Sequence, residues 1–555
     1  RSQDGKAWER QPGDPLLGYG TGTGTDDVPN ALHANVVISN DRLYLYYFTH
    51  PGRIGEDRAK DGYEQRRTSI QVVELELNSE GWITADRNRP TYVLLFPEEP
   101  VRAALAIDAR HSRPISEELF GIFFEDINYA ADGGLYAELV QNRSFEYSPE
   151  DLAGRDSAWN PKHSWRMITE EEPGPSAGGP PPSGEAESSF VVADDHPLHA
   201  NNPRYALLTN SRKGRMTGLS NGGFDGIVLK KGERYDFSLF ARLISGKPGK
   251  IAVRLSGDNG EVLAEAKTGK TTGQWKKHTV ELISSGDAAY ARLEILFAGK
   301  GALAVDMVSL FPRKTFRNRP NGLRADLAET IAALKPRFVR FPGGCLVHGD
   351  GLGNMYRWKN TVGPVEQRKG QRNIWNYHQT GGLGFFEFFQ FCEDIGAEPL
   401  PVLPAAVSCQ NSRDGGQQAL PMEEMDDYVL EVLDLAEFAN GAATTPWGRV
   451  RAVAGHPEPF GLKYLGIGNE ELISDAFEER FELIYNALRE KHPEITVIGT
   501  VGPFSGGTDY EEGWKIADRL AIPVVDEHYY QSPGWFIHNQ DFYDGYRRDK
   551  SKVYL

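Results

Sequence analysis

Along the first hundred residues, apolar and polar positions alternate with a period of two. "VVISNDRLYLYYFTHPGR" (36–53) reads as a hairpin around an Asn-Asp turn, and "TSIQVVELELNSEGWITAD" (68–86) repeats the pattern around a turn at Asn78 to Gly81. From about residue 117 the texture changes. "ELFGIFFEDI" is a strand ending in Glu125 and Asp126, and "GGLYAELVQNRSF" (133–145) carries a helical pattern. Residues 171–189, "EEPGPSAGGPPPSGEAESS", are a Pro/Gly/Ser-rich linker with nothing to pack. Residues 190–313 return to strand after strand with regularly spaced turns ("RYDFSLFARLI", "KIAVRLSG", "ALAVDMVSLFP"), the pattern of a β-sandwich.

After residue 320, helices and strands alternate strictly. "LRADLAETIAALKP" precedes "RFVRFPGG", "FFEFFQFCEDIG" precedes "EPLPVLPAA", and "MDDYVLEVLDLAEFANG" precedes "LKYLGIGNE". "FEERFELIYNALREKHP" puts Phe477, Phe481, Ile484, Tyr485 and Leu488 on one helical face and precedes "ITVIGTVG". "DYEEGWKIADRL" precedes "IPVVDEHYY", and a last helical patch, "QDFYDGYRRD", precedes "SKVYL". Counted from "LFGIFFED", this gives seven β elements with helices between them. The order predicts an α/β fold, a (β/α)8 TIM barrel truncated at strand seven, with the sandwich inserted after the first unit. The domain expectation is therefore 1–100 all-β, 101–150 a sandwich strand ("AALAIDA", 103–109) plus the first β/α unit, 151–313 linker and inserted sandwich, and 314–555 the rest of the barrel.

Composition narrows the class. With 39% hydrophobic and 25% charged residues over 555 positions, the chain is globular and has several domains. No apolar run approaches the ~20 residues of a membrane span. A formal charge of −17 leaves no basic stripe for nucleic acid, whereas neutral substrates such as sugars suit it. The three cysteines, Cys345, Cys392 and Cys409, form neither a disulfide framework nor a zinc spacing, so no metal or cofactor is expected.

The barrel reading gathers polar residues at one end. Strand C-termini carry Glu125 and Asp126, Cys345, Asn469 and Glu470, then Glu527, His528 and Tyr530. A single strand-end acid is more often a helix cap, but four strand ends presenting polar groups to one face favour a site. Glycoside hydrolysis needs two carboxylates, about 5–5.5 Å apart for retention and about 6.5–9.5 Å for inversion. Glu470 is the candidate acid, beside an amide suited to a sugar hydroxyl. By alternation, Glu471 reads as a solvated acid at a helix start, and Glu527 faces away from His528 and is more structural than nucleophilic.

Together "GIFFEDI", "GGLYAELVQNRSFE", "RFPGGCLVHG", "RWKNTVGP", "KYLGIGNEE" and "DEHYYQSPGWF" resemble glycoside hydrolase family 51, the α-L-arabinofuranosidases, over about 103–555. The resemblance implies a retaining enzyme releasing terminal arabinofuranosyl groups from plant poly- or oligosaccharides. It assigns the acid/base role to Glu470 and substrate or positioning roles to Glu125, Asn469, His528, Tyr530 and Cys345, where many bacterial members have Asn. It places the nucleophile in a Gly-Glu just past "KVYL", beyond Leu555, so the 555 residues by themselves are expected to be inactive. If no Glu follows there, Glu527 is the fallback second carboxylate. The insert resembles a carbohydrate-binding-type jelly roll, although Tyr235, Phe237 and Trp275 also suit its core. Residues 1–100 resemble the closing part of a family 43 propeller, in which His33 is either a site residue or a packed ring.

Arabinose-containing glycans are the implied partners, and homo-oligomerisation is left open. A polymeric substrate implies a secreted or periplasmic setting. The alternatives are an endoglucanase or xylosidase on the same scaffold, or a non-catalytic carbohydrate-binding protein.

Overall fold

The computed structural model describes residues 9–13, 16–18, 22–24, 26–27, 31–54, 63–93, 110, 114–152, 154, 156–171, 188–212, 215–413 and 415–554. The expected strand 103–109, most of the 171–189 linker and Leu555 lie outside these residues. The chain forms two compact units. One comprises Arg1–Pro114, Gly154–Ser157 and Gln531–Gln540, and the other comprises Ile115–Ala153, Ala158–Tyr530 and Asp541–Leu555. Among the described residues no helix is long and apolar enough to cross a membrane.

The first unit contains one up-and-down antiparallel sheet, Leu32–Ser39, Arg42–Thr49, Ser69–Leu77 and Ile83–Ala85, with neighbours in chain order. Its first turn is the expected Asn-Asp pair. Both residues have positive φ (51° and 56°), and Ser39 pairs with Arg42, the geometry that matches the twist of a two-residue hairpin. Alternation buries Leu45, Tyr47, Val73 and Leu75 on one face. His33 is exposed and lies flat on Phe48 at 5.2 Å.

In the second unit, the insert is a two-sheet antiparallel sandwich. One sheet runs Val262–Lys270, Lys250–Ser256, Ala288–Phe297, Arg215–Asn221, Trp165–Glu171, with Ile227–Leu229 alongside Ala288–Phe297. The other runs Lys276–Ile283, Arg234–Gly246, Gly301–Pro312, Tyr205–Asn210, Ser189–Ala193. Tyr235 and Phe237 alternate inward into its core. Trp275 is half-buried, packs edge-on to Tyr205 at 5.4 Å and donates to the His196 carbonyl. Strand Trp165–Glu171 precedes the Pro/Gly-rich linker, which therefore joins two strands of the sandwich instead of introducing it.

The rest of the second unit is a parallel sheet of Ile122–Phe123, Phe338–Phe341, Glu398–Leu403, Tyr464–Ile467, Thr496–Thr500, Val524–Asp526 and Lys552–Tyr554, each beside its predecessor. The sheet curls. Tyr554 on the seventh strand meets Phe338 on the second, with ring centroids 5.5 Å apart. Strand order, curl and intervening helices make this a (β/α)8-like domain. Helix Asp475–Lys491 buries the predicted face, Phe477, Phe481, Ile484, Tyr485 and Leu488. Ser474 caps it by accepting from Phe477 N, and Arg489 and Lys491 sit favourably in its last turn.

Two expected helices are absent. The 133–145 segment forms only a kinked turn, Ala131–Leu135, and then runs as buried irregular chain. Its backbone groups bond outward: Ala137 N to Gly322 O, Leu139 N to Leu310 O, and Val308 N to Arg143 O. Buried Glu138 accepts from Val140 N, Leu310 N and Ser309 Oγ. Those tertiary bonds replace the intrahelical ladder. The 540–549 patch is reduced to a 3-10 turn at Phe542–Gly545.

Candidate active site

The fourth barrel strand, Tyr464–Ile467, ends in a turn that local geometry makes unusual. Gly468 has φ +93°, and a Cβ there would meet the Glu471 carboxylate at 2.6 Å. Glu470 itself sits at φ +56°, a strained conformation for a residue with a side chain and one that clusters at functional sites. This turn breaks the strand's alternation and overturns the expectation for Glu471. Glu471 is not solvated; it is 1% exposed, and its Oε1 accepts from Asn469 N at 2.9 Å and from His348 Nε2 at 2.7 Å. The buried pair pins the turn from below and aims Glu470 upward.

Glu470 opens into a cleft at the C-terminal ends of the strands, lined also by Glu125, Cys345, Trp375, Asn469, Phe504, His528 and Tyr530. All six residues predicted for the site are thus in one cleft. Asp126, the other acid of the first strand, is buried elsewhere. It accepts from Ala131 N and Tyr377 OH, and burial pushes its carboxyl up to about 7. Glu527 also points away, as alternation requires, into a cluster where Trp514 Nε1 (2.9 Å), Tyr546 OH (2.9 Å) and Tyr529 OH donate to it. Its carboxylate is fully engaged outside the cleft.

Close approach explains the glycines of "FPGGC". A Cβ on Gly343 would meet Glu125 Cγ at 2.8 Å, and one on Gly344 would meet Asn469 Oδ1 at 2.8 Å. The bare backbone lets Glu125 Oε1 accept from Gly344 N (3.1 Å) and Leu346 N (3.2 Å), which fixes the carboxylate at the cleft wall.

The electrostatics centre on Glu470. Burial alone would raise its carboxyl, but the hydrogen bond and charge of His528, 2.7 Å away at Nδ1, and a hydrogen bond from Tyr530 outweigh it. The net result is a carboxyl held below its ordinary value. His528 is the converse case. Burial would lower it, yet Asp526 and Glu470 push it up to about 10, so the ring is an imidazolium at neutral pH. Cys345 Sγ donates to Glu470 Oε2 at 3.7 Å. Its contact with the Cys409 sulfur, its burial and the nearby carboxylates raise its thiol, which stays a neutral donor. Among the described residues no three His, Cys, Asp or Glu side chains form a metal-holding group.

Sequence reasoning missed Arg340 and Asp526 beneath the cleft. Arg340 Nη2 donates to Asn469 Oδ1 (2.7 Å) and Asp526 Oδ2 (3.2 Å), and the guanidinium lies 4.8 Å above the Phe123 ring. An arginine inside the apolar run "RFVRF" was the available signal, because a buried cation requires a partner. Asp526 had one too, two residues before His528 and so on the same strand face.

Several carboxylates at the open end of a curled parallel α/β sheet, one of them paired to a histidine beside an amide, put this cleft where (β/α)8-type domains carry their active sites. The family model described as "Alpha-L-arabinofuranosidase 1 domain" matches residues 330–548. An extracellular exo-α-L-arabinofuranosidase of Streptomyces chartreusis is 42% identical over 82% of this chain and 53% of its own length. α-L-Arabinofuranosidase 2 of Arabidopsis thaliana is 35% identical over 74% of this chain and 58% of its own. The arabinose-bound structure of the MgGH51 α-L-arabinofuranosidase superposes with a TM-score of 0.66 at 31% identity, covering 79% of this chain and 66% of that one. The chain belongs to glycoside hydrolase family 51, the α-L-arabinofuranosidases. It spans little more than half the length of these two curated relatives.

Proposed function

We propose that the protein is a retaining exo-acting α-L-arabinofuranosidase in which Glu470 is the acid/base. The observation that supports this best is the Glu470 carboxylate, carried on a strained backbone and hydrogen-bonded to His528, in a cleft shared with Glu125, Asn469, Cys345 and Tyr530. In this reading Glu470 protonates the departing glycosidic oxygen and then activates water against the glycosyl-enzyme. Glu125 and Asn469 bind furanose hydroxyls. The nucleophile is the carboxylate that the family resemblance puts next to the end of strand Lys552–Tyr554. Its negative charge, brought close to Glu470, would raise the Glu470 carboxyl so that it carries the proton it must donate. The sandwich is read as a jelly roll of carbohydrate-binding type, and the N-terminal sheet as a propeller blade, since a blade is a four-stranded meander. The name of the Streptomyces relative supports an extracellular setting, with arabinose-bearing glycans as substrates.

The test is Glu470→Ala in the full-length enzyme, assayed with substrates of graded leaving group. Losing general acid catalysis should slow natural oligosaccharides about 10²–10⁴-fold. Aryl arabinofuranosides, whose phenolate needs no proton, should suffer least in the glycosylation step. Equal losses across the series would remove Glu470 from the acid role, and preference for aryl xylosides or glucosides would remove the arabinofuranosidase reading.

A further inference from the structure

Behind the cleft lies a buried acid that does not line it. Asp526 ends the sixth strand with its carboxylate buried. Its Oδ2 lies 3.0 Å from His528 Nε2 and 3.2 Å from Arg340 Nη2, while Oδ1 has no hydrogen-bond partner. Across the imidazole, Nδ1 is 2.7 Å from Glu470 Oε1. One ring bridges two carboxylates, and only the doubly protonated ring can donate to both.

We propose that Asp526 is a positioning residue that holds His528 as an imidazolium and thereby sets the orientation and ionisation of Glu470. The proposal rests on reading Glu470 as the acid/base. Glu470 must change protonation state during such a reaction, so its own charge cannot keep His528 charged throughout. Asp526 can, because its environment keeps it an anion. Burial would raise its carboxyl, but the charges of His528 and Arg340 hold it below the ordinary value. A cation fixed beside Glu470 favours departure of the Glu470 proton, which strengthens it as an acid toward the leaving oxygen.

The other groups facing this assembly do not substitute for Asp526. Arg340, from the second strand, opposes a charged ring, and its guanidinium is shared between Asp526 and Asn469. Glu125 on the first strand is tied to Gly344 N and Leu346 N. Cys345 faces Glu470 from the second strand's end, with Cys409 behind it. Tyr530 faces Glu470, and Tyr554 on the seventh strand faces Arg340 and Asp526.

The test uses the full-length enzyme with ¹³C-labelled histidine, His528 being assigned by its loss in His528→Gln. In the wild type His528 should titrate at about 10, and in Asp526→Asn it should fall by roughly one to three pH units, the effect of one close opposite charge. The alkaline limb of kcat/KM on an aryl arabinofuranoside should move acidward with it. A wild-type His528 titrating near 6.5 overturns the proposal even if Asp526→Asn does not fold. So does an Asp526→Asn enzyme with unmoved titration or an unmoved alkaline limb. If the titrations behave as stated but no arabinofuranoside is cleaved, the control of His528 by Asp526 stands and the functional reading fails.

Discussion

Removing Glu471 tests the base of the catalytic turn most directly. Both of its hydrogen bonds, from Asn469 N at 2.9 Å and His348 Nε2 at 2.7 Å, fall on one oxygen, Oε1, while Oε2 is buried with no partner. Glu471→Ala therefore leaves two buried donors unsatisfied, each costing about 1–3 kcal/mol, for an expected loss of about 2–6 kcal/mol. Glu471→Gln can keep both bonds on its amide oxygen and put the NH2 where Oε2 already lacks a partner, so its cost should stay below about 1 kcal/mol. Urea unfolding followed by tryptophan fluorescence reads the difference. With a slope of roughly 3 kcal/mol/M, Glu471→Ala should lower the midpoint of the barrel transition by about 0.7–2 M, and Glu471→Gln by less than about 0.3 M. A Glu471→Ala midpoint indistinguishable from wild type would mean that the acid behaves as a solvated surface group. Glu471 would then not hold the Glu470 turn in place.

Three further outcomes follow from the cleft. His528 is raised from an ordinary 6.5 to about 10, so its stabilising contribution is fully present below about pH 6.5 and is lost as pH rises toward 10. The stability gap between wild type and His528→Asn, measured by denaturation across that range, should therefore shrink as pH rises. Glu470 acts in the opposite sense. Its lowered carboxyl contributes above about 4.5, and that contribution is lost on further acidification. Gly344→Ala places a methyl 2.8 Å from Asn469 Oδ1, against the amide held by Arg340, and should lower kcat/KM at least tenfold while leaving the far-ultraviolet circular dichroism intact. Wild-type kinetics for that variant would show that Asn469 need not be held where it is.

Much of this protein was legible in its sequence because the relevant signals are local. Asn40 and Asp41 sit where a two-residue hairpin demands positive φ, and the 3.6 period from Phe477 to Leu488 specified a buried helical face without reference to what it packs on. Strict helix–strand alternation after residue 320 dictated the parallel sheet, and with it the gathering of Glu125, Cys345, Asn469, Glu470, His528 and Tyr530 at one end. What failed depended on partners distant in sequence. The 133–145 segment has helical spacing, yet its backbone bonds to Gly322 and Leu310 won. Trp165–Glu171 is a strand only because Arg215–Asn221 pairs with it. Glu471 was misread because alternation assumes extended backbone, and Glu470 leaves it at φ +56°. The Arg340–Asp526–His528–Glu470 network joins the second, fourth and sixth strands. Local signals single out Arg340 and Asp526 one at a time but not their partnership, because its energy comes from pairing charges in a buried space that exists only once the sheet has curled.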